Sequence, residues 1–116
     1  MIEIWHNSRC SKSRAAFNYL KDSNIEFKTK EYLKEPPTKD ELKDILKKLN
    51  LKPSQLVRKK EAIFKELNLK EASEDELLEA MVEHPKLIER PIVVNDNLAV
   101  VARPLDEIEK VVKNVK

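Results

Sequence analysis

Glycine is absent from the 116-residue chain, and cysteine occurs once. Without glycine there is no glycine-rich phosphate loop and no dinucleotide fingerprint. Any anion site must therefore use other backbone amides and basic side chains. The lone thiol, Cys10, excludes an intramolecular disulfide and a multi-cysteine zinc site. Histidine is nearly as scarce: His6 and His84 stand far apart without metal-ligand spacing, so no metal is expected. Charge of one sign is not in excess either. The 23 Lys and Arg residues nearly cancel 21 Asp and Glu, leaving +2, which is not the basic surplus of a nucleic-acid binder. The most basic short run, Arg58-Lys59-Lys60, is too brief to change this. No stretch approaches the roughly 18 apolar residues of a membrane span. The opening Met1-Ile2-Glu3-Ile4-Trp5 has no basic region leading into an apolar one. The expectation is a soluble cytoplasmic protein with a reduced thiol, partnering neither nucleic acid nor membrane.

What is present suits one domain, residues 1–116. Hydrophobic residues make up 41% and charged residues 38%, enough for a core and a well-solvated surface. Residues 2–5 read as a strand, with Trp5 in core or rim packing. Residues 6–9 read as a loop, and Ser11 to Asp22 as a helix burying Ala16, Phe17, Tyr19 and Leu20 in part. A second strand falls within Ile25 to Tyr32, giving a strand–helix–strand unit that favours parallel pairing. Pro36-Pro37 ends it. Thr38 with Glu41 forms a capping box, and Leu42, Ile45, Leu46 and Leu49 lie at i, i+3, i+4 and i+7 of an amphipathic helix. Short helices are expected from Pro53 to Val57 and from Ala62 to Leu67, the latter with Ile63, Phe64 and Leu67 inward. Ser73 and Glu76 cap a helix that ends near His84-Pro85; His84 has no assigned role.

Ile92–Val94 and Leu98–Val101 are strands of a hairpin, whose Asn95-Asp96-Asn97 turn is expected to use the tolerance of Asn and Asp for positive φ. Pro104 opens a last helix with Leu105, Ile108, Val112 and Val115 inward and Lys110, Lys113 and Lys116 late. The order βαβ, helical insert, ββα is that of a thioredoxin-like α/β fold. It predicts a mixed four-stranded sheet with helices on both faces and a helical insertion (about 38–84) between the second and third strands. No long apolar stripe is left over, so a monomer is expected.

Cys10 falls where the first loop enters the first helix. A helix N-terminus offers unpaired N–H groups and partial positive charge, which favour the thiolate, the nucleophilic form. Arg9, Lys12 and Arg14 add positive potential, and Asn7, Ser8, Ser11 and Ser13 add polar groups. His6 is placed either to bias the thiol toward thiolate or to serve as a bonded loop residue. Arg58, Arg90 before Pro91, and Arg103 before Pro104 carry guanidinium groups suited to tetrahedral oxyanions. Taken singly, each arginine also reads as a solvated surface charge, and Cys10 also reads as a small packed residue.

The motifs together are more specific. Residues 6–14 (His-Asn-Ser-Arg-Cys-Ser-Lys-Ser-Arg) resemble the active-site loop of the ArsC arsenate reductase family. Residues 32–38 (Tyr-Leu-Lys-Glu-Pro-Pro-Thr), 56–59 (Leu-Val-Arg-Lys), 84–94 (His-Pro-Lys-Leu-Ile-Glu-Arg-Pro-Ile-Val-Val) and 102–104 (Ala-Arg-Pro) resemble its later segments in the same order. The resemblance implies Cys10 as catalytic thiol, Arg58, Arg90 and Arg103 as oxyanion ligands, and Pro91 as the thioredoxin-fold cis-proline. It gives His6, Asn7, Ser13 and Arg14 supporting places. It implies reduction of arsenate to arsenite with no tightly bound cofactor, glutathione as co-substrate and glutaredoxin as partner. Ser13 stands where a Cys-x-x-Cys motif would carry its second thiol, so the resolving thiol must come from another molecule. The resemblance also admits an Spx-like regulator that binds RNA polymerase, or a glutathione-dependent thiol reductase with another substrate. The match at all three arginines favours arsenate over both.

Overall fold

The computed structural model describes residues 1–112. Lys113, Val115 and Lys116, read above as the end of the last helix, lie outside the described residues. Along the chain run β1 (Ile2–Trp5), α1 (Ser11–Asp22), β2 (Phe27–Lys30), α2 (Lys39–Leu49), α3 (Pro53–Leu56), α4 (Ala62–Glu66), α5 (Glu74–Glu83), β3 (Ile92–Val94), β4 (Ala99–Val101) and α6 (Ile108–Val112). Short 3₁₀ turns occupy Leu69–Glu71, Pro85–Leu87 and Leu105–Glu107. The residues form two compact units: Met1–Glu35 with the segment from Arg90 onward, and Pro36–Glu89.

In the first unit the strands lie in the order β2-β1-β3-β4. β1 and β2 are parallel, with Ile2 opposite Phe27 and Trp5 opposite Lys30. A parallel pair needs a crossover, and α1 supplies it. β3 runs antiparallel to β1, with Ile4 opposite Val93, and β4 closes a hairpin with Val100 opposite Val93. This is the thioredoxin-like sheet that the order of elements predicts. Alternation along β1 sends Ile2 and Ile4 into a core with Val93, Ala16 and Leu20 of α1, and Ile108 and Val111 of α6. Phe17 meets Phe27 edge-on at 5.3 Å. The opposite pleat carries Glu3 and Trp5, and the Trp5 indole N–H donates to the Glu3 carboxylate at 3.0 Å.

A chain without glycine must find other residues for left-handed backbone. Among the described residues, the three non-glycine positions with positive φ are Asn24 (58°), Asn50 (58°) and Asn68 (54°). Asn24 and Asn50 follow the last turns of α1 and α2. There Ile25 N–H donates to the Leu20 carbonyl at 3.5 Å and Leu51 N–H to the Leu46 carbonyl at 3.1 Å, the pattern of a Schellman ending. The hairpin turn corrects the expectation: none of Asn95, Asp96 and Asn97 has positive φ. Instead the buried Asn95 side chain organises it. Its Oδ1 accepts from Asn97 N–H at 2.8 Å and Leu98 N–H at 2.7 Å, while its Nδ2 donates to the Val111 carbonyl at 2.8 Å.

In the second unit both capping boxes form. Glu41 N–H donates to Thr38 Oγ1 at 3.1 Å and Thr38 N–H to the Glu41 carboxylate at 3.0 Å. Ser73 and Glu76 repeat the exchange at 3.2 and 3.0 Å. The Ser54 amide and hydroxyl both donate to the Glu74 carboxylate at 2.9 Å, tying α3 to the start of α5. The unit extends past residue 84 because Arg58 N–H donates to the Leu87 carbonyl at 2.7 Å and Glu89 N–H to the Leu56 carbonyl at 3.0 Å. Leu67, expected inward, is 44% exposed. Helix α4 stops at Glu66, Asn68 turns left-handed, and Leu69 takes the buried place instead.

Candidate active site

The site begins where β1 ends. His6 N–H donates to the Lys30 carbonyl at 2.8 Å, one more rung on the β1–β2 side. The chain then turns sharply: Asn7 Oδ1 accepts from Arg9 N–H at 3.0 Å, and Cys10 N–H donates to the Asn7 carbonyl at 3.0 Å. Cys10 is the N-cap of α1, in extended backbone (φ −96°, ψ 123°), and its carbonyl accepts from Arg14 N–H at 2.9 Å. Its side chain makes no capping hydrogen bond. A helix begun in this way, without Ser, Thr, Asp or Asn at the cap, leaves its first amides for another acceptor.

Cys10 is half-buried. Burial alone would push its thiol up. Only together do the backbone N–H groups of Ser13 and Lys12 and the Arg90 guanidinium outweigh that, and they hold the thiol below its ordinary value. The thiolate is thus favoured by the helix start and by one arginine.

Ser13 is completely buried. Its Oγ lies 2.6 Å from His6 Nδ1 and accepts from Asn7 N–H at 2.9 Å. One hydroxyl therefore fastens the loop onto the first turn of the helix. Burial holds His6 below its ordinary value, against the Glu31 carboxylate, which would raise it, and with the Arg14 charge, which lowers it. The imidazole also stacks on Phe17 at 5.0 Å. His6 is not among the groups that set the acidity of Cys10; it holds the loop through Ser13. Arg14 Nη1 donates to the Ser8 carbonyl at 2.9 Å, so it too braces the loop.

The Arg90–Pro91 and Arg103–Pro104 peptide bonds are both cis. Arg103 Nε donates to the Arg90 carbonyl at 2.7 Å, and Ala102 N–H donates to the Pro91 carbonyl at 2.9 Å. Arg103 is in this way anchored to the segment that brings Arg90 to the sulfur. Arg58 belongs to the Pro36–Glu89 unit, where its guanidinium pairs with Glu61 at 3.0 Å and Glu89 at 3.8 Å. Two hollows flank the Cys10 loop. One, of about 510 Å³, is lined by Lys12, Ala15, Ala102, Arg103, Pro104 and Leu105. The other, of about 260 Å³, is lined by His6, Arg9, Glu31 and Lys34 among others. Among the described residues there is no cluster able to hold a metal ion, and no helix is long and apolar enough to cross a membrane.

Sequence reasoning missed the Ser13 hydroxyl as a fastener and Glu31 as the charge facing His6. The spacing of Ser13 from Cys10, one helical turn, was the available signal for the first. Nothing local marks Glu31, which arrives through the β1–β2 pairing.

A half-buried cysteine capping the first helix of a thioredoxin-like sheet, its thiolate favoured by an arginine, defines a thioredoxin-fold thiol protein. The ArsC family model matches residues 5–111, and the chain belongs to the ArsC family. It is 46% identical over 113 residues to an arsenate reductase of Neisseria meningitidis, covering 95% of this chain and 97% of that one. It is 43% identical over 114 residues to the Escherichia coli protein YfgD, covering 96% of each. The solved arsenate reductase of Vibrio cholerae superposes with a TM-score of 0.90 at 41% identity, covering 95% of this chain and 96% of that one.

Proposed function

We propose that the protein is an arsenate reductase working as a single domain, with Cys10 as nucleophile and glutathione and glutaredoxin as external reductants. The observation that carries this is the lowered Cys10 thiol, favoured by the Ser13 and Lys12 amides and by Arg90. Arsenate docks through its oxygens on Arg90 and Arg103, with Arg58 contributing by its resemblance to the family's third oxyanion arginine. The Cys10 thiolate attacks arsenic, an As–O bond breaks, and water leaves after protonation, giving a cysteine–arsenate adduct. The glutathione sulfur then attacks the adduct. The two sulfurs supply two electrons, arsenic falls from the +5 to the +3 state, and arsenite departs, leaving a Cys10–glutathione mixed disulfide. A glutaredoxin thiolate attacks the glutathionyl sulfur, carries it off as a glutaredoxin–glutathione disulfide, and Cys10 leaves as its thiolate. The single cysteine of the chain supports this division of labour, because no internal thiol can resolve the intermediate. The dependence on reduced glutathione suits the cytoplasm, where thiols are kept reduced.

The test is a coupled assay with glutathione, glutaredoxin, glutathione reductase and NADPH. Arsenate-dependent NADPH oxidation is expected and should vanish in Cys10→Ser. Absence of arsenate-dependent oxidation by the parent protein, or its survival in Cys10→Ser, overturns the proposal.

A further inference from the structure

Attack on arsenic held at Cys10 requires a thiol co-substrate to arrive beside the first turn of α1. Of the two hollows there, the larger has an apolar floor of Ala15, Ala102, Pro104 and Leu105, and cationic side chains at Lys12 and Arg103. Its volume of about 510 Å³ falls within the range of small-molecule sites. It adjoins the thiol by two routes. Lys12 stands two residues beyond Cys10, and Arg103 is anchored to the carbonyl of Arg90, the residue whose guanidinium favours the Cys10 thiolate. The smaller hollow, about 260 Å³, presents the Glu31 carboxylate, with Lys34 drawn to it at 3.5 Å. It offers an anion less net attraction.

We propose that the groove between α1 and residues 102–105 is the glutathione-binding site, with Lys12 facing the tripeptide's carboxylates, Leu105 covering its backbone, and Arg103, which also serves arsenate, adding positive charge. The assignment rests on the reading of the protein as a glutathione-dependent reductase. Glutathione carries two carboxylates and one ammonium at neutral pH, a net negative charge that matches two cations with no carboxylate among the groove's lining residues. The apolar floor suits the cysteinyl methylene and the peptide planes. Leu105, expected inward, is instead 37% exposed and lines this groove.

Binding can be read without turnover by titrating the protein with S-methylglutathione, whose sulfur cannot react, and following backbone amide shifts by NMR. Shifts at Lys12, Ala15, Ala102 and Leu105 are expected. Leu105→Asp, which puts a like charge within a few Å of the carboxylates, should weaken binding about five- to tenfold, and the spectrum itself reports whether the variant is folded. Lys12→Gln is a second variant, expected to weaken binding by about threefold and to flatten its salt dependence. Shifts confined to His6, Arg9, Glu31 and Lys34, or unchanged affinity in both variants, overturn the assignment. The arsenate assay is separate. Turnover without groove shifts refutes the groove and leaves the reductase standing, whereas groove shifts without turnover do the reverse.

Discussion

Replacing Ser13 with alanine removes one oxygen from a fully buried position and strips two partners at once. His6 Nδ1 loses a contact of 2.6 Å and Asn7 N–H loses its acceptor at 2.9 Å. A buried group left without its hydrogen bond costs about 1–3 kcal/mol. The His6 side is buried and takes the middle of that range, whereas the Asn7 amide is only partly buried and takes less. Alanine returns about 0.5 kcal/mol as the better helix former. The net loss expected is about 2 kcal/mol, or a fall in Tm of roughly 6–10 °C for a domain of this size. Urea and thermal unfolding of Ser13→Ala measure it, with Ser11→Ala, at an exposed position in the same turn, as control. If Ser13→Ala lies within about 0.5 kcal/mol of the parent, the range of ordinary surface changes, the hydroxyl is not the fastener described here.

Arg90→Gln should raise the Cys10 thiol toward its ordinary value, because it removes the one side-chain charge favouring the thiolate. The rate of alkylation by neutral iodoacetamide against pH reads this as a midpoint moved upward, and an unmoved midpoint contradicts it. His6 is held below its ordinary value of 6.5 by burial. The folded state therefore binds its proton less readily than the unfolded chain does, and stability should decline as pH falls below about 6.5 until the folded imidazole itself protonates. His6→Asn should lose that decline, as urea midpoints from pH 7.5 to 5 will show. Arg103→Ala should raise the KM for arsenate by about tenfold or more, the scale of one lost charged hydrogen bond. Arg58→Ala should weaken turnover, and because its ion pairs with Glu61 and Glu89 are partly buried the Tm should fall by a few degrees at most, the scale of about 1 kcal/mol. Asn50→Ala should cost about 1 kcal/mol at its left-handed position, whereas Asn50→Gly should be nearly neutral, as paired urea midpoints test.

Periodicity and capping carried most of the fold. The i, i+3, i+4, i+7 run from Leu42 and the two Ser/Thr–Glu boxes are local signals, so α2 and α5 were legible residue by residue. Leu67 was misread because apolar character says nothing of where a short helix stops. A left-handed Asn68 decided that. The hairpin turn was misread for a different reason: Asn95 is committed to the Val111 carbonyl, sixteen residues away in sequence, and no window across the turn contains that partner. At the site, the place of Cys10 at a helix start was visible from the chain. The anchoring of Arg103 to Arg90 across thirteen residues was not, because it depends on how β3 and β4 pair.

The lack of glycine also shapes the state the protein folds from. Every residue of this chain bears a side chain that narrows the conformations open to the denatured backbone, and trading glycine for a bulkier residue is worth about 0.4–1 kcal/mol through that state alone. At Asn24, Asn50 and Asn68 the left-handed geometry takes back a similar amount. The three asparagines therefore come out nearly even, and elsewhere the protein folds from a denatured ensemble already stiffer than that of a glycine-bearing chain of equal length.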